Sequence, residues 1–186
     1  MTNERFILTV VGKDHPGIVA GIASILFDYE CNIHELNQTV LSDEFAMILL
    51  LQPTKSIDIK KLDESLKKRC EKLEVTHFLR IAVAMPATNI QPTKDRLIIT
   101  VIGSDKTGII AGVTSVLADI NINIVELSAK PYLIHEITQY AVVARAEVDD
   151  DFDMISLTKA LDDCANRLSV EIKVQSQEVF KAMHEV

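Results

Sequence analysis

Two short segments of this chain combine residue types that could bind a small charged molecule. Residues 10–26 read VVGKDHPGIVAGIASIL, and residues 101–117 read VIGSDKTGIIAGVTSVL. In each segment an apolar run stops at a charged stretch, and apolar residues then resume at helical spacing, which predicts a strand-to-helix corner. The free N–H groups and the dipole of a helix N-terminus attract a carboxylate or a phosphate. Each corner is therefore a candidate anion site.

The residues of the first corner each suggest a local role. We expect Gly12 to turn the chain off the strand with a positive φ. We expect Asp14 to cap the helix by accepting from the N–H groups of its first turn. Pro16 tolerates an early helical position because it has no N–H to leave unpaired. Gly17, without a Cβ, leaves the backbone bare. A well-capped turn with no ligand would explain the same residues, so the corner alone leaves both interpretations open.

The chain contains the same small domain twice, at an offset of 91 residues. Residues 5–36 and 96–127 align without a gap and share 17 of 32 positions. A period of this length indicates two tandem copies of a domain and is too long for a solenoid repeat. The shared positions include Gly12/Gly103, Asp14/Asp105, Gly17/Gly108, Gly21/Gly112, Asn32/Asn123 and Glu35/Glu126.

Each copy predicts the elements that must position its corner. A β-rich run, an amphipathic helix, two strand-like runs, a second helix and a last strand follow one another. This βαββαβ order is the split βαβ of ferredoxin-like folds, so we predict an α+β fold with antiparallel sheets and both helices on one face. The first domain is predicted over 1–86, a linker over 87–95 and the second domain over 96–186. Four extra residues in the second copy are expected near Lys130, Pro131 and Tyr132.

The composition excludes several classes of function. The chain has 186 residues, 48% of them hydrophobic, and a net charge of −8. Neither half has the basic surface that direct nucleic-acid binding requires. No apolar run is long enough to cross a membrane. The three cysteines are widely spaced, which argues against disulfides and zinc and favours a reducing cytoplasm.

Other candidate chemistry is weak. The five histidines do not fall at metal-ligand spacing, and no nucleophile stands beside a base, so we predict no catalytic residue, no metal and no cofactor. The acidic run EVDDDFD (147–153) is expected to cap a helix. Small residues such as Ser24 and Gly21 are expected to pack helix on sheet. The tail beyond residue 176 has apolar residues at helical spacing, and is either a short helix on its own domain or a docking element for a partner.

The motif DHPGIVAGIASIL…NIHEL, with DKTGIIAGVTSVL…NIVEL, resembles the ACT domain, a ligand-sensing module of amino-acid metabolism. A tandem pair without another domain resembles the glycine cleavage system transcriptional repressor family. That resemblance implies a regulator that controls glycine cleavage genes through a transcription-factor partner, with glycine as the signal. It also implies ligand contacts from the corners and from two asparagines. These residues are Asp14, His15, Gly17, Ile18 and Asn32 in the first copy, and Asp105, Lys106, Gly108, Ile109 and Asn123 in the second.

Two departures from the family pattern affect this site. Thr107 stands where the first copy has Pro16. Asp14 and Asp105 stand where several ACT domains carry Asn, and an aspartate would pair with the ammonium group of an amino acid and repel its carboxylate. The alternatives are a detached regulatory subunit of an amino-acid enzyme and a sensor of another amino acid.

The corner and the asparagine of one copy are predicted at opposite ends of a helix of about 18 Å. A small amino acid is too short to contact both. We therefore expect a homo-oligomer or a pseudo-dimer in which the corner of one domain faces the asparagine of its neighbour. The simpler interpretation makes Asn32 and Asn123 helix-exit residues with left-handed φ.

Overall fold

The computed structural model describes residues 4–82, 95–134, 137–149 and 152–177, and its elements follow the predicted order twice. The first copy has β1 (Phe6–Lys13), α1 (Ile18–Asp28), β2 (Cys31–Leu41), β3 (Glu44–Pro53), α2 (Ile59–Lys72) and β4 (Val75–Ile81). The second has β5 (Asp95–Ser104), α3 (Ile109–Asp119), β6 (Asn123–Ile134), β7 (Ile137–Val148), α4 (Met154–Leu168) and β8 (Glu171–Ser176).

The chain divides into two compact units, Met1–Thr88 and Asn89–Val186, each with its own core. The linker is predicted over 87–95, and its residues 87–94 fall outside the described residues. The predicted C-terminal helix (Val179, Phe180, Met183 and Val186) also falls outside them. The linker and the C-terminal helix both stay predictions.

Each unit contains one four-stranded antiparallel sheet, with strand orders β2-β3-β1-β4 and β6-β7-β5-β8. Burial along β1 alternates because successive side chains of a strand point to opposite faces. Phe6, Leu8 and Val10 are buried and pack with Ile22 of α1 and Leu62 of α2 in one core. The prediction of two tandem ferredoxin-like βαββαβ domains is therefore confirmed.

The two helices of each unit approach closely at a glycine. A Cβ added to Gly21 of α1 would lie 2.9 Å from Leu73 Cδ1, and one added to Gly112 of α3 would lie 2.9 Å from Leu168 Cδ1. Both leucines come at the end of the second helix of their unit. The expectation that these glycines pack helix on sheet was therefore wrong, because they pack helix on helix.

The extra residues of the second copy lengthen a hairpin. In the first unit the β2–β3 pairing ends at Leu41 opposite Glu44. Its counterpart in the second unit, Tyr132 opposite Gln139, is followed by two further pairs up to Ile134 opposite Ile137. The four extra residues, predicted near Lys130–Tyr132, therefore extend the hairpin directly beyond Tyr132 and Gln139. A hairpin that gains two residues on each arm keeps its register, so the sequence pattern before the turn is unchanged.

Gly12 and Gly103 lie within strands and have no positive φ, so the predicted turn at Gly12 was wrong. A Cβ on Gly12 would lie 2.9 Å from Val75 Cγ1, and one on Gly103 would lie 2.7 Å from Val170 Cγ1. These glycines are required because the start of the last strand of each unit passes against them.

Candidate functional site

Each corner ends at a left-handed glycine that begins a helix without a side-chain cap. Gly17 is the N-cap residue of α1 with φ 102°, and Gly108 is the N-cap residue of α3 with φ 94°. A side chain with a Cβ is strained at such φ values, which explains the glycine at both positions. The first helical hydrogen bonds run from Gly21 N to Gly17 O and from Gly112 N to Gly108 O, both 2.8 Å. The N–H groups of the first turns therefore have neither a partner within the helix nor a side-chain cap.

The carboxylate of Asp14 does not cap α1, so that prediction was wrong. Asp14 precedes the N-cap residue by three positions, whereas a capping side chain belongs to the N-cap residue itself. Its backbone N donates to Asp43 O over 2.8 Å, which attaches the corner to the β2–β3 turn. In contrast, Asp58 caps α2 and Asp153 caps α4, and each carboxylate accepts from two N–H groups. The prediction that the acidic run 147–153 caps a helix is therefore confirmed by Asp153. Asp14 and Asp105 are exposed.

His15 connects the first corner to the end of α2. Its Nε2 lies 2.7 Å from Leu73 O and its Nδ1 lies 2.9 Å from Pro16 O. Carbonyl oxygens only accept, so both contacts are hydrogen bonds only when the imidazole carries two protons. The bond to Leu73 O, followed by the bond to Pro16 O, raises the pKa of His15 above its ordinary value of 6.5. Lys106 holds the matching position at the second corner.

The predicted residues of the second corner line one surface depression. Its volume is about 470 Å³, and Asp105, Lys106, Gly108 and Ile109 all contribute to it. Tyr140 of β7 also lines it. Tyr140 lies directly opposite Gly103 across the strand pair, in a register that only the paired sheet reveals. Sequence reasoning missed this tyrosine because it comes from a distant strand.

The two predicted asparagines lie away from the corners of their own units. Asn32 and Asn123 are exposed strand residues that follow the first helix of each unit. The 11 residues of α1 separate Asn32 from the first corner, a helix length of about 16 Å. Asn32 instead lines a second depression of about 690 Å³ together with Phe27 and Thr54. The expected pairing of each corner with an asparagine of a neighbouring domain stays a prediction.

The helix-exit explanation of these asparagines was wrong. The residues with left-handed φ after α1 and α3 are Glu30, at 51°, and Asn121, at 58°. Asn32 and Asn123 do not have a left-handed φ, so backbone conformation does not explain an asparagine at these positions.

The cysteines and His77 are occupied in packing or in a local contact. All three cysteines are free and buried, and burial raises the pKa of Cys31 and of Cys70 to about 11. Such thiols are poor nucleophiles at neutral pH. His77 Nε2 lies 2.9 Å from Asp63 Oδ1, and His135 falls outside the described residues. Within the described ranges, no three His, Cys, Asp or Glu side chains are grouped to hold a metal ion. No helix in the described part of the chain is long and apolar enough to cross a membrane.

Comparison with known proteins assigns the two units to one family. The family profile of the ACT domain matches residues 4–79 and 95–175. A UPF0237 protein of Methanopyrus kandleri is 46% identical over 72 residues, which is 38% of this chain and 80% of that protein. A UPF0237 protein of Methanosarcina acetivorans is 40% identical over 94 residues, which is 50% of this chain and 99% of that protein. That relative is therefore about as long as one copy.

Two solved structures share the whole two-unit fold. A protein of unknown function from Galdieria sulphuraria has a TM-score of 0.77 at 23% identity, covering 93% of this chain and 98% of that one. A candidate glycine cleavage system transcriptional repressor has a TM-score of 0.69 at 20% identity, covering 93% of this chain and 96% of that one. At these identities the likeness shows the fold alone. The chain is a relative of the UPF0237 proteins, contains two tandem ACT domains and belongs to the ACT-domain family.

Proposed function

We propose that this protein is an amino-acid-responsive regulator that binds a small α-amino acid at each corner. The observation that carries the proposal is the pairing of opposite charges there. The uncapped N–H groups of α1 and α3 offer hydrogen bonds to a carboxylate, and an exposed aspartate, Asp14 or Asp105, stands three residues ahead of each N-cap glycine. An α-amino acid carries a carboxylate and an ammonium group on the same carbon atom. Its carboxylate suits the N–H groups of the helix, and its ammonium group suits the aspartate.

The contrast between the helices of each unit supports this proposal. The helices α2 and α4 begin with a capping aspartate, whereas α1 and α3 begin with glycine and no side-chain cap. A side-chain cap stabilises a helix by about 1 kcal/mol relative to alanine, but by only roughly a few tenths of a kcal/mol relative to a glycine N-cap. Both corners lack a side-chain acceptor for the N–H groups of the first turn, and a bound carboxylate would supply one. Glycine is the first candidate ligand because the resemblance to the glycine cleavage repressor family implies glycine as the signal.

Calorimetric titration of the full chain tests the ligand. We expect glycine to bind, and acetate and methylamine, which each carry one of its two charges, to bind at least about tenfold weaker because each loses one charged contact. The double variant Asp14→Asn/Asp105→Asn should lose glycine affinity by a similar factor. Glu64→Gln removes one carboxylate from the exposed side of α2 and is the matched control. Unchanged glycine affinity in the double variant would contradict the proposed site.

We further propose that the regulator acts through a protein partner and represses glycine cleavage genes without binding DNA itself. The net charge of −8 supports a protein partner, because it disfavours contact with phosphates. The shared fold with a candidate glycine cleavage repressor supports the choice of target. Affinity capture with and without glycine, followed by identification of the bound protein, tests this step. Capture of a transcription factor in a glycine-dependent manner is the expected result, whereas capture of a metabolic enzyme would favour a detached regulatory subunit.

A further inference from the structure

The face of the first sheet that points away from α1 and α2, called here the open face, is apolar at its centre. Ile7 lies on it, because its neighbours Phe6 and Leu8 point into the core. Val11, Ile48 and Phe78 lie on the same face and are 43%, 54% and 63% exposed. A cavity of about 810 Å³ extends over this face. An exposed apolar surface of this kind marks an interaction site.

Charged residues stand at both ends of one row across the open face. Ile7 of β1 is paired with Leu50 of β3 on one side and with Arg80 of β4 on the other. Glu35 of β2 is paired with Leu50. The row therefore reads Glu35, Leu50, Ile7, Arg80, with an anion and a cation about 14 Å apart at three strand spacings. Within the described ranges of the chain, neither Glu35 nor Arg80 takes part in a side-chain hydrogen bond or an ion pair.

The same row in the second unit is neutralised within the unit. There the register gives Glu126, Arg145, Ile98 and Gln175. Arg145 forms an ion pair with Glu126, and the β8 position carries no charge. Apolar Leu50 replaces the arginine in the first unit, so its carboxylate has no local partner and its arginine stands at the far end. The two units share a fold and differ in this respect, because the charges are separated in the first unit and paired locally in the second.

We propose that the open face of the first unit binds the open face of a second copy of this chain. A row with an anion at one end, a cation at the other and apolar residues between them is complementary to itself. A two-fold axis that runs parallel to the strands, between β3 and β1, places Glu35 of each copy against Arg80 of the other. The same axis places Leu50 against Ile7. The interface is isologous, as in most homodimers, and forms a sandwich of two sheets.

The neighbouring row fits the same arrangement. Ile48 of β3 is paired with Thr9 of β1, and Thr9 is paired with Phe78 of β4. Under the same axis Ile48 covers Thr9 of the other copy, and Phe78 covers Asn37. The exposed apolar side chains of Ile48 and Phe78 therefore become buried in this arrangement.

Charge reversal at the two ends of the row tests this interface. Sedimentation velocity of the full chain over a concentration series should give a dimer for the wild type. Glu35→Arg places arginine against arginine at both ends, and Arg80→Glu places carboxylate against carboxylate. Each single variant should dimerise at least about tenfold more weakly, because like charges oppose each other twice.

Mixing the two variants is the decisive measurement. One copy then presents two arginines and the other two carboxylates, so an equimolar mixture should recover a heterodimer of wild-type stability. Glu126→Arg, at the matching position of the second unit, is the control and should dimerise like the wild type. Thermal unfolding of each variant checks its folding. A monomeric wild type, single variants that dimerise normally, or a mixture that stays monomeric would overturn the proposal.

Discussion

At the scale of residues, the two corners differ in the group that follows the aspartate. His15 is held between two carbonyl oxygens, and the pKa of its imidazole is raised by them. Lys106 stands in its place at the second corner. Histidine is the side chain whose ordinary pKa lies in the physiological range. The first corner therefore contains a pH-dependent connection to the end of α2 that the second corner lacks.

This difference predicts a pH dependence of stability. The pKa of His15 is higher in the folded state than its ordinary 6.5, so its contribution is complete below that pH and is lost as pH rises through the folded pKa. Urea unfolding of wild type and His15→Gln, compared between about pH 5.5 and 8.5, should give free energies of unfolding that differ most at the acidic end. Lys106→Gln is the matched control, and its difference from wild type should not follow this trend. A difference that grows with pH for His15→Gln would contradict the contacts described.

Gly17 predicts a cost that depends on backbone conformation alone. A Cβ at Gly17 meets nothing within 4 Å, but its φ of 102° is unfavourable for residues other than glycine. Gly17→Ala should therefore lower the free energy of unfolding by about 1 kcal/mol without a steric clash. Gly17→Asn should cost less, because asparagine tolerates left-handed conformations better. Equal losses for the two variants, measured by urea unfolding, would count against a conformational cause.

At the scale of elements, the helices α1 to α4 begin in two different ways. Asp58 accepts from the N–H groups of Lys60 and Lys61 at 3.0 and 3.3 Å, whereas Asp14 bonds none in α1. Asp58→Ala should lower the free energy of unfolding by about 1 kcal/mol. Asp14→Ala should change it by less than about 0.5 kcal/mol, as for most surface substitutions. A loss for Asp14→Ala as large as that for Asp58→Ala, in the same unfolding assay, would mean that Asp14 caps α1 in solution.

The sequence predicted the elements well and the local geometry of the corner poorly. Periodicity reveals which side chains a strand or a helix buries, and the duplication presents the same periodicity twice. Whether Asp14 reaches an N–H group depends on the φ of Gly17, which no periodicity encodes. The role of Gly12 depends on its contact with Val75 in another strand. Tyr140 reaches the second corner through strand register, which is also a tertiary property.

At the scale of the whole molecule, the duplication predicts the number of ligands. Each unit has its own uncapped helix start with an exposed aspartate ahead of it. Titration calorimetry with glycine should therefore give two ligands per chain. Asp105→Asn should leave one ligand per chain in the range of wild-type affinity, and Asp14→Asn should leave the other. One ligand per chain in the wild type would mean that the two corners are not equivalent sites.

Binding at the helix starts of α1 and α3, as proposed, would make the melting temperature of the protein a reporter of occupancy. A ligand that binds only the folded chain raises its free energy of unfolding by about 2.7 kcal/mol per site at a hundredfold excess over Kd. A thermal-shift screen of metabolites would therefore rank candidate ligands by the rise in melting temperature that each one causes. A side chain at either N-cap position would be strained at φ 102° or 94° and would compete with the ligand for the same N–H groups, which favours glycine there. On the proposed function, the protein is thus least stable when neither helix start has a ligand bound.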